Sequence, residues 1–271
     1  MEQKVLEKIT EQIKENKSVA LATIINVEGS IPGKKGGMMA VFKDGTTFGT
    51  VGGGKVELLT INSAKACIES GESKLFSFGL NDEPGGIQMQ CGGRVEVFIK
   101  VFIPEHRLII VGGGHLGHSL YKLGKFLNFH TVIFDEREEY CCVERFPDAD
   151  ELYPGNIEEG LKNYNIDENC YIIIVTHGHK YDELALKAVL DRGAKYIGMV
   201  GSVKKTKHIM DVMRSLGIPK ETLETVYSPV GIDLGGQSPQ DIALGIMAEI
   251  ILVKNNGRLE HTKNTRKVDI V

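Results

Sequence analysis

The chain has 271 residues, enough for about two domains of ordinary size. Hydrophobic residues make up 42% and charged residues 25%, which excludes a wholly disordered chain and leaves apolar material for two cores. The net charge of −4 gives no basic footprint for nucleic acid, and no stretch approaches the roughly 20 apolar residues that cross a bilayer.

Val5, Leu6, Ile9 and Ile13 recur at helical spacing, so the first seventeen residues are read as an amphipathic helix. Residues 18–27 follow as a buried strand, and Met38–Phe42 and Thr46–Phe48 form a predicted hairpin across Lys43-Asp44-Gly45. A turn at 49–54 leads into a helix reaching about Ser70, and strands are expected near 73–79 and 94–102, around an irregular glycine-rich segment at 81–93. Residues 1–104 are thus read as a small α+β domain.

Pro104-Glu105-His106-Arg107 marks the boundary, and residues 105–271 change to strict alternation. Leu108–Val111, Thr131–Phe134, Tyr171–Val175 and Tyr196–Val200 are strand-sized apolar runs. Helical spacing appears between and after them at about 116–127, 157–163, 181–191 and 203–216. That pattern predicts an α/β fold, a Rossmann-type parallel sheet covered on both faces. A last helix opens at Ser238-Pro239-Gln240-Asp241 with the signature of a capping box, and the polar, basic tail 254–271 is expected to fray.

The N-terminus mixes both signs of charge without a signal peptide's apolar core. The five cysteines, Cys67, Cys91, Cys141, Cys142 and Cys170, contain no CxxC pair, so a reducing cytoplasm is expected. Glycine is the outlier, with 32 residues in 271. The glycines gather beside apolar runs, where backbone amides approach a ligand or the chain turns tightly.

Residues 108–118 read LIIVGGGHLGH, so Gly112, Gly114 and Gly117 satisfy GxGxxG between a predicted strand and a predicted helix. The first glycine makes the turn, the second admits a pyrophosphate to the helix N-terminus, and the third lets helix and strand pack closely. Asp135 ends the next strand, 18 residues past Gly117, where an acid accepts hydrogen bonds from a ribose hydroxyl and favours NAD over NADP. His115 lies in the glycine loop, and His177 and His179 follow the strand Tyr171–Val175. With Asp182 these imidazoles are candidates for a metal site or a proton shuttle, against a structural role in capping and loop bonding.

The segments GSIPGKKGGMMAVFKDGTTFGTVGGGKVE (29–57) and QCGGRVEVFIK (90–100) resemble the amino-terminal domain of the XdhC/CoxI family of xanthine dehydrogenase accessory factors. The second half is similar to the same family through VGGGHLGHSL, DEREEYCCVERFPDADEL, THGHKYDELAL, YIGMVGS and SPVGIDLGGQSPQDIALGIMAEI. The resemblance implies a cytoplasmic, commonly dimeric protein that binds the molybdenum cofactor (molybdopterin) and protects it while a sulfido ligand is installed. It then passes the cofactor to a xanthine dehydrogenase-like molybdoenzyme. A cysteine desulfurase is the second implied partner, and the protein is expected to act as a chaperone without turnover of its own.

Gly52, Gly53 and Gly54 with Lys55, Gly92 and Gly93, and Gly112, Gly114, His115, Gly117 and Asp135 are the expected cofactor-binding residues, the glycine amides meeting one phosphorylated ligand. Cys91, between Gln90 and the pair Gly92 and Gly93, is either a sterically open cofactor-handling thiol or a buried cysteine in a tight turn. Two departures stand out. The family's turn reads GSVGGGCVE, whereas Lys55 replaces that cysteine here, and Gly33 stands where an arginine is usual. The alternative function is an NAD-dependent oxidoreductase using Asp135, with His177 or His179 as general acid/base. A third is a sensor in which bound nucleotide controls the first domain.

Overall fold

The computed structural model describes residues 1–29, 33–79 and 93–265, which fall into two compact units, Met1–Pro104 and Glu105–Val271. In the first, helix α1 (Glu2–Lys14) buries Val5 and Ile9 and leaves its charged residues in water. Strands β1 (Val19–Gly29), β2 (Met38–Phe42) and β3 (Thr47–Gly49) precede helix α2 (Gly54–Ser70), and β4 (Lys74–Gly79) and β5 (Gly93–Phe102) follow it. The sheet order is β3-β2-β1-β5-β4, antiparallel throughout. Period-two alternation assigns the faces. Ala20, Ala22 and Ile24 join Val95, Val97 and Ile99 against Val56, Ala64 and Cys67 of α2, while Val19 and Ala40 pack with Val5 and Ile9 of α1. The glycine-rich segment expected at 81–93 lies, except for Gly93, outside the described residues.

The second unit opens with β6 (Arg107–Val111), α3 (His115–Phe126), β7 (His130–Asp135), β8 (Glu151–Pro154) and α4 (Ile157–Asn163). It continues with β9 (Cys170–Ile174), α5 (His179–Val189), β10 (Tyr196–Met199), α6 (Val203–Ser215), α7 (Lys220–Glu224), α8 (Pro239–Lys254) and α9 (Thr262–Thr265). Its five strands are parallel in the order β8-β7-β6-β9-β10. Leu108 and Ile110 pack with Leu120 of α3 and with Ala243 and Ile246 of α8. Ile109 and Val111 point the other way, onto Leu161, Leu186 and Ile209 of α4, α5 and α6. This is a Rossmann-type doubly wound sheet. The chain leaves β6 in one direction, then returns to build outward from β9, so the topological switch point lies between the carboxyl ends of β6 and β9.

Sequence pattern did not predict β8 or α7. The strand reads ELYP on a half-exposed edge of the sheet and so lacks an apolar run. Between β7 and β8 the chain has no α-helix but a strap, residues 136–149, whose one regular turn is the 3-10 segment Glu138–Tyr140. The capping box of α8 forms as expected: the Asp241 amide donates to Ser238 Oγ (3.1 Å) and the Ser238 amide to Asp241 Oδ2 (3.3 Å). The tail expected to fray carries the short helix α9. Among the described residues no helix is long and apolar enough to cross a membrane.

Candidate functional site

At the end of β6 the chain must turn sharply from strand to helix. Gly112 does so at φ +123°, with its Cα so close to β9 that a Cβ would stand 2.5 Å from the Val175 carbonyl oxygen. A Cβ on Gly117 would drive into the carbonyl oxygen of Gly112, so this glycine lets α3 lie directly on the turn. Gly114 differs from both: nothing stands within 4 Å of its Cβ position, and as the N-cap of α3 it offers no side-chain cap. The first-turn amides of α3 are therefore open from the Gly114 side, and exposed His115 is the first residue of the helix.

Asp135 is in a different state from the one its position suggested. The residue is 1% exposed, and both carboxylate oxygens are occupied by this chain's own donors. Oδ2 accepts from the Gly113 amide (2.7 Å) and Arg137 Nη2 (2.9 Å), and Oδ1 accepts from the Arg137 amide (3.0 Å) and Nε (2.9 Å). Burial by itself would push this carboxyl up, but the hydrogen bonds from Arg137 and Gly113 outweigh it and hold it below the usual carboxylate range. A ribose hydroxyl reaches Asp135 only if Arg137 lets go.

The strap continues over the same turn. The Arg137 guanidinium lies 3.7 Å from the centre of the Tyr140 ring, the Tyr140 carbonyl occupies the space a Gly113 side chain would need, and Arg145 Nε donates to the Gly113 carbonyl (2.7 Å). Cys141 and Phe146 fasten the strap to the α3 face of the sheet: Cys141 Sγ donates to the Ile133 carbonyl (3.3 Å), and the Phe146 ring meets Tyr121 edge-on. A cavity of about 770 Å³ opens between α3 and the strap, lined in part by His118, Lys122, Cys142 and Arg145. Glu139, Glu144 and Asp148 share it, so its mixed charge selects no sign of ligand.

Across the switch point, His177 Nδ1 lies 3.1 Å from Glu136 Oε1, and both Glu136 oxygens are shielded from solvent without a hydrogen bond. When protonated, His177 thus closes an ion pair between the loops after β7 and β9. His179 is the exposed first residue of α5, whose N-cap, Gly178, also lacks a side-chain cap. Asp182 does not face these imidazoles. It is fully buried, accepting from Thr176 Oγ1 (2.7 Å) and pairing with Lys205. Among the described residues no group of three or more His, Cys, Asp or Glu side chains is placed to hold a metal ion.

In the first unit, Gly52, Gly53 and Gly54 have φ of +113°, +80° and +61°, a left-handed run that side chains disfavour. Gly53 is the N-cap of α2 and Lys55 its second residue. Glu57, one turn into the helix, reaches back so that Oε2 accepts from the Gly53 amide (2.8 Å) and from Thr50 Oγ1 (2.7 Å). One amide of this turn is thereby satisfied by a carboxylate before any external anion arrives. Gly33 has no room for the family's arginine: a Cβ there would meet the Val51 carbonyl oxygen and Ile24 Cδ1, each at 2.7 Å. Gly93 opens β5 opposite Gly29, while Cys91 and Gly92 lie outside the described residues.

Sequence reasoning missed Arg137, Tyr140, Arg145, Glu136 and Glu57. Two signals were present: an arginine two residues beyond an acid at a strand end, and an acid in the first turn of a glycine-capped helix.

The XdhC Rossmann domain model matches residues 108–250, and the XdhC and CoxI family model matches residues 12–79. Uncharacterized protein YqeB of Escherichia coli K12 is 28% identical over 89% of this chain and 44% of its own length. A Bacillus subtilis 168 protein described as a probable xanthine dehydrogenase subunit is 30% identical over 57% of this chain and 45% of its own. The chain therefore spans less than half the length of these two relatives. The molybdenum cofactor insertion chaperone PaoD of E. coli K12 is 20% identical over 90% of this chain and 86% of its own. A crystal structure described as a xanthine dehydrogenase from Bacillus halodurans shares the fold at a TM-score of 0.53 and 23% identity, covering 94% of this chain and 96% of that one.

Proposed function

The chain belongs to the XdhC and CoxI family, and on that premise we propose that it is an accessory factor for a molybdenum hydroxylase. It binds the molybdenum cofactor as cargo, supports its sulfuration and passes it to a xanthine dehydrogenase-like enzyme. The observation that carries this reading is the match to a molybdenum cofactor insertion chaperone over nearly the whole of both chains. The geometry supports it at the phosphate end. Gly114 leaves the uncapped first turn of α3 open to an anion, and Gly112 and Gly117 supply the turn and the close packing that hold it there. His115 stands beside that anion, and in the other unit Gly52–Gly54 with Lys55 open helix α2, where Glu57 already holds the Gly53 amide and Lys55 supplies the positive charge. Cys91, with Gly92 and Gly93, is the proposed cofactor-handling thiol, and a cysteine desulfurase and a second copy of the chain are the further partners. NAD-dependent oxidation is the weaker reading, because Asp135 is already held by Arg137 and Gly113.

The test is anaerobic. Full-length protein is mixed with molybdopterin released from a donor molybdoenzyme, separated from free cofactor by gel filtration, and assayed for retained pterin by its fluorescence after oxidation. Stoichiometric retention is expected, followed by release to a cofactor-free xanthine dehydrogenase-like enzyme that gains activity. No retained pterin overturns the proposal.

A further inference from the structure

In a doubly wound sheet that binds a dinucleotide, the pyrophosphate lies at the helix N-terminus that the first strand–helix turn opens, and the adjoining ribose bonds the acid ending the second strand. Here those features are Gly112–Gly114 and Asp135, and the strap lies on both. Arg137 presents two parallel N–H groups to Asp135, the pairing a ribose diol would otherwise make. Tyr140 stacks beneath that guanidinium and seals Gly113 with its carbonyl, and Arg145 ties the far end of the strap to the Gly113 carbonyl. Buried Cys141 and Phe146 anchor it in the core, so it is a packed element and not a loose loop. Gly114, one residue further on, is left uncovered.

We infer that residues 136–146 are a built-in substitute for a nucleoside, so that the Rossmann half excludes dinucleotides and admits only ligands whose phosphate carries no nucleoside. Arg137, Tyr140 and Arg145 are then the specificity-determining residues. The exclusion stands on the strap alone. Its extension to the cargo rests on the function proposed above: the monophosphate form of molybdopterin is taken and the cytidine-bearing dinucleotide form is refused.

The experiment titrates NADH into the full-length protein and follows nucleotide fluorescence anisotropy, with Arg137→Ala, Tyr140→Ala and Arg145→Ala alongside. Circular dichroism establishes which variants are folded, and Arg137→Gln, which gives up the paired N–H groups on Asp135 but keeps a polar side chain in the strap, stands in should Arg137→Ala fail to fold. The native protein is expected to bind no NADH into the millimolar range, and the folded Arg137 variant to gain affinity by about tenfold or more, ahead of Tyr140→Ala and Arg145→Ala, which keep Arg137 on Asp135. Micromolar binding by the native protein overturns the inference. So does a set of folded variants that gain nothing, because the strap would then not be what excludes the nucleotide. Retention of the cytidine-bearing cofactor by the native protein overturns the extension to cargo. The NADH measurement contains no molybdenum cofactor, so failure of the proposed function leaves its outcome readable.

Discussion

Arg137→Ala removes two of the four hydrogen bonds to a carboxylate that is 1% exposed. Hydrogen bonds to charged groups contribute about 1.5–3 kcal/mol each. The Arg137 side chain is 27% exposed, so water enters part of the vacated space and screens what remains. The expected loss is about 2–3 kcal/mol, below the ~3–5 kcal/mol of breaking a fully buried pair. For a unit of this size that lowers the melting temperature by about 4–12 °C. The chain has no tryptophan, so far-UV circular dichroism during thermal and urea unfolding is the readout. The pH dependence carries a sign. The folded Asp135 carboxyl titrates below its ordinary 3.8, so its stabilisation is complete above that value and is lost as pH falls through the lower folded one. The gap between native protein and variant should therefore narrow on acidification below about pH 4. A loss under about 1 kcal/mol, the size typical of an exposed pair, would refute the burial argument, as would a gap unchanged by acid.

The glycines of the same turn separate folding from binding. Gly117→Ala meets the Gly112 carbonyl and should cost about 2–3 kcal/mol, whereas Gly114→Ala meets nothing and should stay within about 0.5 kcal/mol while lowering molybdopterin retention. Thermal melts beside the retention assay check both, and equal destabilisation would show that the two positions had been given the wrong roles. The adjacent cysteines should also differ. Burial pushes the Cys141 thiol up to about 11, and Cys142 is half-exposed. Iodoacetamide on the folded protein should label Cys142 well before Cys141, and equal rates by peptide mass spectrometry would mean that the strap does not pack as described.

Local pattern carried far in this chain because most elements declare themselves within a few residues. The strand Leu108–Val111, the glycines at 112, 114 and 117, and the Ser238–Asp241 box each combine propensity, spacing and turn chemistry, and each forms where those terms agree. The half-exposed strand β8 left no such mark, since an edge position needs no apolar run.

Asp135 shows where local reading stops. Its place at the end of β7, at the expected distance from Gly117, is fixed by sequence. Whether its oxygens face a ligand or an arginine depends on which donors the folded chain brings within 3 Å, and Gly113 is 22 residues away along the chain. The same holds for Glu57 on Gly53 and for His177 beside Glu136. Periodicity and backbone freedom were enough to set the parallel sheet and the glycine turns. Which amides and carboxylates are already satisfied emerged from the packed fold instead. A buried polar group must find a partner, and the identity of that partner is a property of three-dimensional proximity.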